Sequence, residues 1–328
     1  MGEFDLIARY FTRPARRVAL GVGDDCALLA PAPGMQLAVS SDMLIEGRHF
    51  FADVDPEALG HKALAVNLSD LAACGARPLA FTLALALPAA DERWLQGFAG
   101  GLLALADAHQ CELIGGDTTA GPLTICITIF GEVPAGDTLR RSGAQPGDDL
   151  WVSGAPGQAR LALGALRGEW QLPAGVLAQL RPRLERPTPR VALGLQLRGL
   201  ASSALDVSDG LLGDLGHILR ASGVGACVDV DAASAPLRVS TAPWSTQMSA
   251  LTQDDWLHCA LAGGDDYELL FTAPPARRAQ VQAAAQRSAT AVTRIGAITA
   301  ERGLRLVDGQ GAPVAGRFAS FDHFAPAR

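Results

Sequence analysis

Lysine is almost missing from this 328-residue chain: Lys62 is the only one, and every other fixed positive charge is arginine. Any phosphate clamp must therefore be built from arginine, backbone N–H groups or metal. The pattern GK[ST] does not occur, which excludes a Walker A loop. The six cysteines (Cys26, Cys74, Cys111, Cys126, Cys227 and Cys259) contain no C-x-x-C pair, so neither a zinc site nor a disulfide framework is expected. No stretch reaches the unbroken apolar length of a membrane helix, and MGEFDLIARYF lacks the basic-then-apolar order of a signal peptide. The expected location is cytoplasmic, with no membrane partner. A net charge of -7 argues against a nucleic-acid partner held by broad phosphate neutralisation.

What is present is a two-part α/β pattern. The length exceeds what one hydrophobic core usually serves. Phe4, Ile7, Tyr10 and Phe11 have helical spacing, and QLAVSSDML (36–44) alternates as a strand. Asp55-Pro56 opens a long helix that Gly75 can end; LAFTLALALP is a strand, and Asp91 starts a helix to about His109. CELIGGD and LTICITIFGEV supply two more strands. The alternation is βαβ-like. The Gly-, Pro- and charge-rich VPAGDTLRRSGAQPGDD reads as a linker, giving domains at 1–137 and 147–328. Beyond it strands are expected at LWVSG, ALDVSD, ACVDVD, YELLFTA, TRIGAI and LRLVD, with helices between 155 and 200, at GLLGDLGHILRAS, near 253–262 and after Pro275.

Aspartates recur at strand ends and glycine turns: Asp24 and Asp25 in GDD, Asp42 in SSD, Asp70 in NLSD, Asp117 in GGDTT, Asp206 and Asp209 in DVSDG, Asp265 and Asp266 in GGDDYE. Any one of them is more often a turn former or helix cap than a ligand. Together, abutting apolar segments, they are costly to fold unless cations gather them. Hard oxygen donors without histidine pairs or thiolates suit Mg²⁺ or Ca²⁺. Asn67 and Asp70 lie three apart on one helical face, which serves a shared ion or solvent equally well. His49 follows an acidic strand end; from spacing alone it is a structural histidine. The glycines of GGDTTAG and AGGDDYE let backbone N–H groups approach a phosphate. With Mg²⁺-type carboxylates and no Walker loop, this suggests a non-P-loop ATP site.

In order, GEFDLIARYF, GVGDDCALL, NLSDLAACGA, LIGGDTT, RSGAQPGD, LDVSDGLLGDLGHI and GGDDYELLF resemble the thiamine-monophosphate kinase family, from the first residues to the final FDHF. DVSDG and GGD are similar also to the wider aminoimidazole ribonucleotide synthetase superfamily. The resemblance implies an α/β (α+β) two-domain fold: an N-terminal sheet forming a dimer barrel, then a larger C-terminal α/β domain that completes the active site. It implies a homodimer that transfers the γ-phosphoryl group of ATP directly to the phosphate of thiamine monophosphate, giving thiamine diphosphate and ADP, with several Mg²⁺ ions.

The resemblance also implies site residues. Magnesium ligands fall on Asp25, Ser41, Asp42, Asp70, Asp117, Asp206 and Asp209, of which Asp25, Asp117 and Asp209 are the catalytic choices. Gly116, Asp117, Arg141 and Ser208 would contact ATP, and His49, Asp265 and Phe318 the thiamine substrate. Asp24 is an adjacent candidate. Two positions depart from the family: Asp265 stands where glutamate is common, and Phe318 where a tryptophan often lies. Rival expectations are a selenophosphate synthetase-like enzyme, which needs an N-terminal Cys and Lys that are missing here, and a non-catalytic divalent-cation module.

Overall fold

Period-two alternation along 36–44 is realised as strand β1 (Met35–Ile45) in the structure, a computed structural model that describes residues 2–14, 16, 18–23, 25–248, 251–316 and 318. Asp24 and the terminal FDHF lie outside the described residues. The chain divides into two compact units: Met1–Leu71, Ala76–Thr138 and Glu185–Val191 form the first, and Ala72–Gly75, Leu139–Leu184 and Ala192–Arg328 the second. Two short segments cross over in this division: Ala72–Gly75 groups with the second unit and Glu185–Val191 with the first.

In the first unit a short helix α1 (Glu3–Leu6) runs into a π-helical turn at Ile7–Phe11. Helix α2 (Pro56–Ala73) starts at the Asp55 cap, whose Oδ1 accepts from the N–H groups of Glu57 and Ala58. Helix α3 (Glu92–Ala108) is capped likewise by Asp91. Strands β2 (Arg77–Leu87), β3 (Glu112–Ala120) and β4 (Thr124–Pro134) join β1 in the order β1-β4-β2-β3. Only β2–β3 is parallel; β4 runs antiparallel to both β1 and β2. The βαβ alternation suggests parallel neighbours, but β4 returns directly from β3 and inserts between β1 and β2, which reverses its direction. Along β1 the faces separate. Leu44 is buried, whereas Leu37, Val39, Met43 and Ile45 are large exposed apolar residues. The lone lysine is inside: Lys62 of α2 is 2% exposed, and its Nζ donates to the carbonyl of His49 at 3.3 Å.

The second unit is built on β5 (Asp149–Ser153), β6 (Ser203–Val207), β7 (Gly225–Asp229), β8 (Glu268–Ala273), β9 (Val292–Thr299) and β10 (Gly303–Val307), in the order β10-β7-β9-β5-β8-β6. Its pairs are antiparallel apart from β10–β7. Its helices are α4 (Gln158–Leu166), α5 (Ala174–Glu185), α6 (Val191–Leu197), α7 (Leu211–Ser222), α8 (Val230–Thr241), α9 (Gln253–Ala262) and α10 (Arg278–Arg287). Strands β5, β6 and β8 are buried along their whole length, and Leu205, Val207, Leu211, Leu215, Leu261 and Leu270 share one core. Asp149, in the segment taken for linker, is instead a buried strand residue, gripped by Arg278 at 2.6 and 2.7 Å. The sequence reading also missed α8. Asp229 caps it through the N–H groups of Asp231 and Ala232, while Pro236 inside it obscures the helical pattern.

Candidate nucleotide and cation site

Strand alternation decides what β1 offers. In register, Asp42 pairs with Ile127, which pairs with Leu83, and Leu44 pairs with Ile125 and so with Leu85. Those apolar partners are buried, so Asp42 lies on the covered face. Helix α2 lies over this face: Asn67 Oδ1 accepts from the Asp42 N–H at 3.2 Å, and Ser40 Oγ donates to Asp70 Oδ2. Asn67 and Asp70, three residues apart, therefore both point at β1. Ser41 does not. Its Oγ meets Thr128 Oγ1 and Ile127 O, both at 3.1 Å, on the opposite face. Ser40, two residues before Asp42, is the serine that shares its side, as the period of two could have indicated.

Asp42 and Asp70 form a pair of like charges withdrawn from water. Burial first, then the Asp70 charge and their hydrogen bond, push the Asp42 carboxyl up to about 7 from an ordinary 3.8. The folded value lies above the unfolded one, so between about pH 4 and 7 the native state binds more protons, and stability falls as pH rises through that window. Asp70→Asn removes the neighbouring charge. In metal-free protein, the loss of urea stability from pH 5 to pH 8 should be smaller in the variant than in wild type. An equal loss would place the pH dependence on other groups.

Asp25 lies in a turn closed by the Leu20–Leu28 bridge, with Leu28 N–H donating to Leu20 O at 3.0 Å. Ala27 and Leu29 anchor the turn on Val18, Leu79, Ala80 and Ile114, leaving Asp25 exposed. Gly116 and Asp117 are exposed on β3, the far edge of the sheet from β1. Asp117 pairs in register with Ala84, and that row continues through Cys126 to Met43, one step from the row of Asp42. His49 has a fixed tautomer. Its Nδ1 accepts from the Ile45 N–H at 3.0 Å, so the neutral ring carries its proton on Nε2.

In the second unit two loops are pressed together. Asp265 N–H donates to Ser208 O at 2.9 Å and Tyr267 N–H to Val207 O at 2.8 Å. A Cβ on Gly264 would lie 2.5 Å from Ser208 O, and one on Gly210 2.8 Å from the Ala262 backbone, so only glycine permits this approach. The contact gathers Asp206, Ser208, Asp209 and Asp265. It also corrects the view of AGGDDYE as a phosphate cradle. The N–H groups of Gly263, Asp265 and Tyr267 are spent on carbonyls of the chain.

Asp266 turns inward, accepting from Gly157 N–H with both oxygens at 2.8 and 2.9 Å, and burial drives its carboxyl well above the usual range. Glu268 is buried and accepts from Ser153 Oγ. Arg141 is exposed beside α7, its carbonyl accepting from Ser222 Oγ at 3.3 Å. Burial, Arg141 and Arg220 hold His217 below its ordinary value, with Asp209 opposing them. Phe318, half-buried, packs against the core of this unit. Among the described residues no three His, Cys, Asp or Glu side chains converge on one point.

Comparison with known proteins agrees in both units. Residues 23–133 match the model for AIR synthase related protein, N-terminal domain, and residues 145–309 that for the C-terminal domain. The chain is 47% identical over 330 residues to thiamine-monophosphate kinase of Salmonella typhimurium, covering 99% of this chain and 98% of that one. It is similar to the crystal structure of thiamine-monophosphate kinase from Stenotrophomonas maltophilia, at 46% identity and a TM-score of 0.81, covering 95% of this chain and 96% of the other. The structure of AaThiL complexed with AMPPCP and TMP aligns with a TM-score of 0.74 at 28% identity, covering 90% and 89%. The chain therefore belongs to the AIR synthase related family, and within it to the thiamine-monophosphate kinases.

Proposed function

We propose that this chain is a cytoplasmic, homodimeric, Mg²⁺-dependent kinase that moves the γ-phosphoryl group of ATP in line onto the phosphate of thiamine monophosphate, releasing thiamine diphosphate and ADP. The observation that carries the cation dependence is the Asp42–Asp70 pair. Two part-buried carboxylates beside the Ser40 hydroxyl and the Asn67 amide oxygen fit a hard divalent cation. Mg²⁺ is characteristically held by one or two carboxylates, with phosphate and water completing its shell. Asp25 and Asp117 of the first unit and Asp206 and Asp209 of the second are the other proposed ligands; Ser40 replaces Ser41 in that set. When bound, Mg²⁺ supplies charge neutralisation on the phosphates.

The chain's own work is placement. The accepting phosphate oxygen is already an anion and needs no general base, so repulsion between two phosphate groups and in-line alignment set the barrier. We assign His49 to the thiamine substrate, through its Nε2–H, together with Asp265 and Phe318. Gly116 offers backbone, Ser208 a hydroxyl and Arg141 a guanidinium to ATP. No lysine is exposed to do so, and arginine suits phosphate through paired N–H donors. Among the described residues no helix is long and apolar enough to cross a membrane.

The test is incubation of the purified protein with ATP, Mg²⁺ and thiamine monophosphate, following both ADP and thiamine diphosphate. Both products are expected in equal amounts. A cation-binding module would leave ATP intact, and a sibling synthetase would ignore this acceptor.

A further inference from the structure

Asp214 has no part in the roles assigned so far. It lies in the first turn of α7, five residues after Asp209, and is 5% exposed. Its Oδ2 accepts from the N–H groups of Ser208 and Asp209, each at 3.0 Å, and of Gly210 at 3.2 Å. Three successive N–H groups turned toward one point make an anion-binding concavity of the kind that elsewhere holds phosphate. Here the chain fills it with its own carboxylate. The backbone of this turn is thus closed to nucleotide phosphate, and its N–H dipoles are neutralised from within. What remains outward are the Ser208 hydroxyl and the Asp209 carboxylate, on a turn also clamped by Asp265 N–H at Ser208 O.

We infer that Asp214 is a positioning residue: a resident anion that occupies the backbone N–H groups of the β6–α7 turn and so holds Asp209 outward for a divalent cation. This rests on the proposed role of Asp209 as a cation ligand. Its effect is indirect, since Asp214 acts through the backbone N–H groups that it accepts. Removing it leaves Asp209 chemically intact on a turn free to rotate its N–H groups toward solvent or phosphate.

The experiment uses the full chain as wild type, Asp214→Ala, Asp214→Asn and Asp209→Asn. Mn²⁺ binding is read by electron paramagnetic resonance without ATP, and the Mg²⁺ concentration for half-maximal rate is read at saturating ATP. Asp214→Ala should weaken both by about 10- to 100-fold, the usual cost of losing a group that holds a metal ligand in place. Asp214→Asn should recover much of that loss, because its amide oxygen accepts the same N–H groups, and should sit roughly threefold from wild type. KM for thiamine monophosphate should stay within about twofold. If Asp214 merely supports the fold, both variants melt earlier but keep wild-type Mn²⁺ affinity, which overturns the inference. If Asp214→Ala does not fold, Asp214→Asn with unaltered Mn²⁺ affinity overturns it equally. Weakened binding in Asp209→Asn with normal binding in Asp214→Ala defeats this inference alone. Normal binding in Asp209→Asn defeats the cation reading of the turn and this inference with it.

Discussion

An Asp42→Ala variant and an Asp117→Ala variant, each expected to lose turnover by about a thousandfold alone, should regain about a quarter of wild-type activity when their subunits are exchanged into mixed forms of the proposed homodimer. The reason is the strand order β1-β4-β2-β3. Asp42 and Asp117 sit on opposite edge strands, three strand spacings apart, or about 14 Å along the sheet. Two ligands of one Mg²⁺ stand only about 4 Å apart. In an open sheet their backbones stay far apart, so two copies offer the shorter route to a shared site. Each of the two strands has a free edge, and the side of β1 away from α2 shows Val39 at 57% and Met43 at 52% exposure, with Leu37 and Ile45 beside them. Exposed apolar side chains on a strand at the edge of the sheet ask for cover.

If the proposed homodimer joins β1 of one copy to β3 of the other, the strands that carry Asp42 and Asp117 become neighbours about 5 Å apart, and the two residues serve one site from different subunits. Random exchange makes half the dimers mixed, and each mixed dimer holds one intact site of two. The assay is thiamine diphosphate formation after exchange, with mixed dimers verified by native mass spectrometry. Verified mixed dimers without recovery would show that each chain builds its site alone.

Gly116→Ala should be among the most damaging small substitutions in the first unit. Gly116 has φ +150, and a Cβ there would lie 1.8 Å from Leu83 O and 2.6 Å from Leu83 C. Those atoms are backbone of the neighbouring strand, so no rotamer relieves the clash. Strand β3 must part from β2, with a loss of roughly 3–5 kcal/mol. Because Asp117 follows directly, the displacement should also raise KM for ATP. Gly121→Ala is the control. Its Cβ would meet Ala86 Cβ at 3.5 Å, an ordinary contact, and should cost less than about 1 kcal/mol. Urea unfolding of both variants measures the difference; similar losses would mean that β3 tolerates a side chain at 116.

These two cases show where sequence reasoning stops. Helices α2 and α3 and strand β1 are legible because a cap and a periodicity are local properties, carried by Asp55, Asp91 and the alternation through SSD. Strand order is not local. Asp42 and Asp117 look alike in the sequence, and nothing in either neighbourhood says that β4 inserts between β1 and β2. Serine choice was within reach, since alternation puts Ser40 with Asp42, but the adjacent Ser41 is more conspicuous. The donor balance of AGGDDYE was not, because the N–H groups of Asp265 and Tyr267 are consumed by Ser208 and Val207, more than 50 residues upstream. Asp214 escaped for the opposite reason. It reads as one more helix-face aspartate, and only its backbone partners give it meaning.

The burial of Lys62 reaches beyond the fold. With the only side-chain amine 2% exposed, the folded protein offers enzymes that acylate lysine no surface target. Amine-reactive dyes should likewise spare every side chain until the first unit opens, so the appearance of modified Lys62 becomes a clock for that opening.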